Sequence, residues 1–412
     1  MNLYFYIILI TILLDFTLNL ISDRLNLKAM RDEIPETFKD VYPEDEYRKS
    51  QQYTRETTRF GLISSTFSLF ITLGFWFAGG FNFLDTFIRS FGWTEIPTGL
   101  AFISLLLVLK MIIGLPFSWY GTFVIEEKFG FNKTTYATWF ADMAKSLALG
   151  AAIGLPVLAL VIWFFLTAGS FAWLWIWISI TVIMLIIQFI APTWIMPLFN
   201  KFLPLENLEL KSAIQNYADS VKFSLKDIFI MDGSRRSAKA NAFFTGFGKN
   251  KRIALFDTMV DKHSNEEIVA VVAHEIGHYK RKHIIKGMIT SILQTGVTLF
   301  LLGIFLSHEG LFAAFGMEKM SVYAGLIFFG MLLAPVDMLL DLIQNAVSRK
   351  HEFEADEWAV KTTGSWIHLA EALKKLSRQN LSNLTPHPMH VFLHYSHPPL
   401  SVRIAAMEKV RV

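Results

Sequence analysis

The stretch Ser264-Asn265-Glu266-Glu267-Ile268-Val269-Ala270-Val271-Val272-Ala273-His274-Glu275-Ile276-Gly277-His278-Tyr279-Lys280 decides how the rest of the chain is read. Ser264 followed three residues later by Glu267 has the form of a capping box, ahead of the apolar run Ile268–Ala273, so a helix is expected to start there. Lys280, Arg281 and Lys282 suit the negative pole at its far end. Within that helix His274-Glu275-Ile276-Gly277-His278 is an H-E-x-x-H pattern. Residues four apart share a helical face, so two imidazoles can grip one ion while Glu275, one step round, reaches a water beside it. An amphipathic helix with two chance histidines would give the same five residues, and the surrounding sequence has to arbitrate.

The arbitration comes from Ser348-Arg349-Lys350-His351-Glu352-Phe353-Glu354-Ala355-Asp356, where Glu352 and Asp356 also stand four apart. Glu352 is the expected third ligand, and Asp356 the expected hydrogen-bond acceptor for the free ring nitrogen of a metal-bound histidine. The chain has no cysteine, so a transition metal must be held by histidine and carboxylate; one zinc ion is expected. Upstream, Asp227–Met231, Ala242–Thr245 and Arg252–Phe256 read as short strands separated by Gly, Ser and Asn turn signals, and suggest a small sheet. Asn241, Ala242 and Phe243, in the segment Asn241–Gly246, read as an edge strand able to pair with an extended peptide, or as a core strand with Phe243 and Phe244 packed inward, and the two readings are compatible.

Outside these regions the chain is apolar. Of 412 residues, 53% are hydrophobic, 15% aromatic and only 18% charged, and the mean hydropathy is +0.41. Lipid is therefore part of its solvent. Seven stretches approach the roughly 20 helical residues needed to cross a bilayer: Leu3–Ile21, Gly61–Leu84, Leu100–Phe123, Ser146–Ala168, Phe171–Ile190, Met288–Leu306 and Val322–Val347. The first lacks a basic start and carries Asp15, so it reads as a retained anchor and not as a signal peptide. The charged run Arg31–Arg59 reads as a solvated loop. The fold expected is mainly α: seven transmembrane helices with a small α/β metalloprotease region. The organisation expected is spans 1–5 with their loops over residues 1–199, a catalytic region over 200–287, spans 6–7 over 288–347, and a tail over 348–412 that supplies the third ligand.

Lys and Arg crowd alternate connections. Only Arg89 lies between spans 2 and 3, no basic residue between spans 4 and 5, and only Lys319 between spans 6 and 7. By the positive-inside rule the N-terminus is expected outside and both polar regions in the cytoplasm, in a bacterial inner membrane or the endoplasmic reticulum. The formal net charge of +3 gives no case for nucleic acid as a partner.

The residues resemble the integral-membrane CAAX prenyl proteases, zinc enzymes of the gluzincin type. The resemblance spans almost the whole chain and is carried by Glu126–Lys133, Asn241–Gly246, the H-E-x-x-H, Glu352 to Asp356, and His397-Pro398-Pro399-Leu400 with Arg403. It implies His274, His278 and Glu352 as ligands, Glu275 as general base, His397 as donor to the tetrahedral oxyanion and Arg403 as support for the site. It also implies a large chamber among the helices, which Lys110, Asp337 and Asp341 would suit as lining; helix packing with Asp–Lys pairing is the plainer account of those three. His387, His390 and His394, like His351, His263 and His283, read as structural or surface residues. The reaction implied is endoproteolysis near the C-terminus of a lipidated or membrane-associated polypeptide, releasing a short peptide. A membrane-protein quality-control protease, a site-2-type protease, and an inactive scaffold or transporter are the alternatives. The fifteen Lys and Arg between Lys201 and Lys286 argue against a motif buried within a span, and the intact Glu275 against an inactive relic.

Overall fold

The computed structural model describes residues 1–245 and 251–411. Gly246, at the end of the expected substrate strand, lies outside the described residues. Among the described residues seven helices are long and apolar enough to cross a membrane: Leu3–Ala29, Glu44–Phe77, Glu95–Glu126, Tyr136–Thr167, Gly169–Leu198, His283–Phe305 and Val322–Thr363. They are numbered as spans 1–7 below. Between 6% and 22% of their most apolar windows is buried within the protein, so most of this surface requires an apolar environment or an internal cavity. Asn2, Thr135 and Ser321 cap spans 1, 4 and 7 with their side-chain oxygens, which satisfies amide groups that the first helical turn leaves unpaired.

Two expectations are corrected. Span 2 does not run to Leu84: its helix ends at Phe77, Gly79 turns the chain at φ 72°, and a separate helix covers Gly80–Arg89. Hydropathy cannot register that break, because Phe81 and Leu84 stay buried in the same apolar cluster. That cluster closes the end of the bundle opposite the polar regions, with Trp76 stacked on Phe315 at 4.8 Å and Phe315 on Phe328 at 3.9 Å. Nor is Arg31–Arg59 a solvated loop. Span 2 already begins at Glu44, and Phe38, Tyr42 and Tyr47 are buried in the core that holds the H-E-x-x-H helix. Arg378 reinforces the contact through Glu46 and a hydrogen bond to the Val41 carbonyl at 3.0 Å. Three buried aromatic rings outweigh the charged residues between them.

The polar regions form one unit. Its sheet has the order β1-β2-β4-β3, with β1 Phe202–Pro204, β2 Asp227–Met231, β3 Ala242–Thr245 and β4 Arg252–Phe256. The three expected strands are present over the expected residues; β1, three residues long and ending in proline, gave no alternation to read. β2 and β4 are parallel, while β3 is antiparallel to β4 and has one free edge. The core beneath joins Ile253 and Leu255 of β4, Ile268, Val272 and Ile276 of the H-E-x-x-H helix, and Ala359, Leu369 and Ile404 from the end of the chain.

A candidate metal centre

The H-E-x-x-H helix spans Asn265–Lys280. Its start is the capping box read from sequence: Ser264 Oγ accepts from the Glu267 amide at 3.3 Å and Glu267 Oε2 accepts from the Ser264 amide at 3.1 Å. Ser264→Ala should cost about 1 kcal/mol of stability, read as a lowered unfolding midpoint of the solubilised protein, with the metal site retained; an unchanged midpoint would mean that core packing alone fixes this helix end.

Span 7 is one unbroken helix of 42 residues that leaves the apolar region and carries Glu352 and Asp356 to the H-E-x-x-H helix, ending where Gly364 adopts φ 76°. Gly277 sets the approach of the two helices. A Cβ there would stand 3.1 Å from the Ala355 carbonyl oxygen and 3.1 Å from Trp358 Cβ, closer than comfortable packing allows. The glycine inside the motif thus lets the third carboxylate reach the two histidines.

The side chains converge accordingly. Among the described residues His274, His278 and Glu352 form the one group of potential ligands whose donor atoms all lie within 4.8 Å of one another. The two Nε2 atoms are 3.1 Å apart, His274 Nε2 is 3.5 Å from Glu352 Oε2, and His278 Nε2 is 3.3 Å from Glu352 Oε1. Two imidazole lone pairs and a carboxylate facing one point repel one another unless a proton or a metal cation sits between them. The donor set matches a zinc site with one open position. Burial disfavours a charged His274, yet Asp356 and Glu352 outweigh it and hold its pKa up at about 9; the same negative field that favours a proton there favours a divalent cation.

Asp356 Oδ1 faces His274 Nδ1 across 2.9 Å. Arg403, buried on the last helix Leu400–Met407, grips Asp356 through Nε at 2.8 Å and Nη2 at 2.7 Å, and its Nη1 lies 3.1 Å from Glu352 Oε2. Paired so, two buried carboxylates keep their charge. Glu275 lies beside the ligand group and is not part of it; burial raises its carboxyl above the ordinary range. His397 sits in the loop before Pro398 and Pro399, with Nε2 3.4 Å from Glu352 Oε1 and a side chain 63% exposed, so it borders the site from the solvent side.

Among the described residues β3, which begins just after Asn241, is an edge strand of the sheet, and Phe244 ties it to Tyr279 of the H-E-x-x-H helix with ring centroids 5.6 Å apart. Sequence reading did not single out Asn380, which clamps the residue ahead of this strand: its Oδ1 accepts from the Ala240 amide at 3.1 Å and its Nδ2 donates to the Ala240 carbonyl at 3.2 Å. A lone asparagine at a helix end carries no pattern. It also passed over His283, whose Nδ1 lies 3.0 Å from His278 Nδ1. Two of the tail histidines are engaged in the fold, His387 Nδ1 accepting from the Met389 amide at 3.1 Å and His390 Nδ1 lying 3.0 Å from Ser22 Oγ of span 1, while His394 is exposed. His263 pairs with Glu267 at 3.3 Å.

Among spans 1, 2 and 7 lies a cavity of about 860 Å³ lined in part by Asp15, Asn19, Ser65, Ser68, His390 and His394. Asp337 and Asp341 line an adjoining space of about 410 Å³ with Asp15 and Asn19, and no ion pair joins either of them to Lys110 among the described residues.

The comparisons agree with this geometry along the whole chain. Residues 23–201 match the CAAX prenyl protease N-terminal region of five membrane helices, and residues 204–411 match peptidase family M48. CAAX prenyl protease 1 of Saccharomyces cerevisiae is 36% identical, covering 93% of this chain and 90% of its own length. The Homo sapiens homologue is 32% identical, covering 92% and 89%. The crystal structure of S. mikatae Ste24p superposes with a TM-score of 0.93 at 33% identity over 99% of this chain and 100% of that one. Seven membrane-length helices, a metal-ligand group on the helix that the motif marks, and matches that leave no large segment unaccounted for place the chain in the CAAX prenyl protease family of M48 metallopeptidases, as a multi-pass membrane protein.

Proposed function

We propose that this protein is a zinc endopeptidase that cleaves near the C-terminus of lipidated, CAAX-type polypeptides and releases a short peptide. The observation that carries the reading is the convergence of His274, His278 and Glu352 at the H-E-x-x-H helix, against which the edge strand β3 packs through Phe244 and Tyr279, with Glu275 adjacent. Zinc bound there would lower the pKa of a water towards neutrality and polarise the scissile carbonyl. The chain's own groups do the rest. Along Asn241, Ala242 and Phe243 the backbone groups turned away from β4, those of Ala242, can pair with an extended substrate and place its carbonyl without demanding much of its side chains, while the Asn241 carbonyl accepts from the Phe256 amide within the sheet. Glu275 takes the proton of the attacking water and returns it to the leaving amine, and a carboxyl raised by burial is the better matched to both transfers. His397 donates to the developing oxyanion. Arg403 and Asp356 touch no reacting atom in this scheme; they hold Glu352 and His274 in place.

The test is a purified enzyme with a farnesylated C-a-a-X peptide, with products read by mass spectrometry. Release of a short C-terminal peptide, abolished by a zinc chelator and restored by zinc, is the expected result; chelator-resistant cleavage or an intact peptide would refute the reading.

The alternation of basic and bare connections supports a cytoplasmic catalytic region, in the endoplasmic reticulum or a bacterial inner membrane. Cysteines placed one at a time in this cysteine-free chain at the exposed positions Gln52, Lys262 and Ser307 provide the check. Gln52 and Lys262 should react with an impermeant reagent from the cytoplasmic face and Ser307 from the other. Labelling of Lys262 and Ser307 from one face would contradict the orientation and the span count together.

A further inference from the structure

We infer that His283 is a positioning residue for the metal site: it relays the Glu354 carboxylate to the zinc ligand His278, so that the two zinc histidines are oriented by different devices. The inference rests on the zinc reading above. His278 directs Nε2 at the ligand group, 3.1 Å from His274 Nε2 and 3.3 Å from Glu352 Oε1, which leaves Nδ1 on the far side of the ring. A neutral imidazole that ligates through Nε2 must carry its proton on Nδ1. That atom meets no carboxylate. It lies 3.0 Å from His283 Nδ1, and His283 Nε2 lies 3.0 Å from Glu354 Oε2.

Only one arrangement of neutral rings satisfies all three groups. His278 Nδ1–H donates to His283 Nδ1, and His283 Nε2–H donates to Glu354, so the carboxylate fixes the tautomer of His283 and, through it, that of His278. His274 needs no such relay, because Asp356 faces its Nδ1 directly.

The surroundings hold His283 in this role. Its ring stacks on His351 with centroids 3.9 Å apart and planes 11° from parallel, and the residue is 6% exposed. The turn that brings it back is costly: Lys282, between the H-E-x-x-H helix and span 6, adopts the left-handed conformation at φ 59°, which residues with a side chain rarely occupy. The reversal starts span 6 at His283 with its ring against His278, while Glu354 belongs to the helix of span 7. The relay therefore ties one zinc ligand to both of the last two membrane helices, and zinc binding becomes sensitive to how those helices meet.

The experiment titrates zinc against a fluorescent chelator in the full-length, solubilised protein and follows thermal unfolding of the metal-free forms alongside. His283→Ala should weaken zinc affinity by on the order of 10–100-fold. His283→Gln should recover most of it, since an amide can accept from His278 with its oxygen and donate to Glu354 with its nitrogen. Glu354→Ala, at a partly exposed position where folding is not at stake, should weaken zinc by a smaller factor. Wild-type zinc affinity in folded His283→Ala, or no difference between the Ala and Gln variants, would overturn the relay. Should His283→Ala not fold, unchanged affinity in Glu354→Ala would overturn it instead. A wild-type protein that takes up no zinc would refute the metal reading, and the relay with it, before any variant is compared.

Discussion

Glu275→Gln should lower turnover by roughly 10²–10⁴-fold or more while one zinc per chain stays bound. The two effects separate because the residue stands about 100° round the helix from the face shared by His274 and His278, and because it is outside the ligand group. Glutamine keeps the size and hydrogen-bonding capacity of the side chain and cannot take a proton. Peptide should still associate along β3, so the loss belongs to the chemical step and not to binding. In the unaltered enzyme, burial raises the Glu275 carboxyl above its ordinary value of 4.5. The base form is therefore lost on acidification earlier than an exposed glutamate would lose it, and the acid limb of the rate profile should lie above that value and vanish in the variant. Turnover near the unaltered rate would show that another group takes the proton. Zinc-free Glu275→Gln would mean that this carboxylate holds the site together.

Glu352→Ala is expected to abolish stoichiometric zinc binding. Glu352 supplies the third donor and also stands between the ligand group and Arg403, whose Nη1 is 3.1 Å from its Oε2. Truncation removes a ligand and also takes away one of the two carboxylates that offset Arg403, leaving the guanidinium near the place of the cation with Asp356 alone to balance it, two losses of the same sign. His394→Ala is the matched control: His394 lines the cavity among spans 1, 2 and 7 and belongs to no ligand group, so its loss should leave zinc in place. Metal analysis of the two purified variants decides. A zinc-replete Glu352→Ala beside a zinc-free His394→Ala would reverse the assignment.

Much of this site could be read from sequence because its parts obey helical periodicity. His274 and His278, and Glu352 and Asp356, are pairs four apart on helices whose starts or courses are marked by a capping box or by a long apolar run. The strands over Asp227–Met231, Ala242–Thr245 and Arg252–Phe256 are bounded by turn residues and were legible for that reason. What stayed hidden depends on contacts between distant segments. Nothing local to Asn380 announces its hold on Ala240, and His283 looks like one more polar residue until Lys282 turns it back on His278. The segment from Arg31 to Arg59 misled for the opposite reason: its charges are conspicuous, whereas Phe38, Tyr42 and Tyr47 are too widely spaced to show a pattern, and they are what docks it. Span 2 misled because Gly79 breaks the helix without interrupting hydrophobicity.

The central claim is that water, with its proton taken by Glu275, attacks the substrate carbonyl directly at the centre formed by His274, His278 and Glu352. The measurement that tests it most directly is a single turnover of a farnesylated C-a-a-X peptide in heavy-oxygen water, with both products weighed. Direct attack predicts one heavy oxygen in the new carboxylate of the lipidated product and none in the released peptide, with no labelled or modified form of the enzyme at any time. An acyl-enzyme detected during the turnover, or a lipidated product whose new carboxylate holds no heavy oxygen, would contradict it.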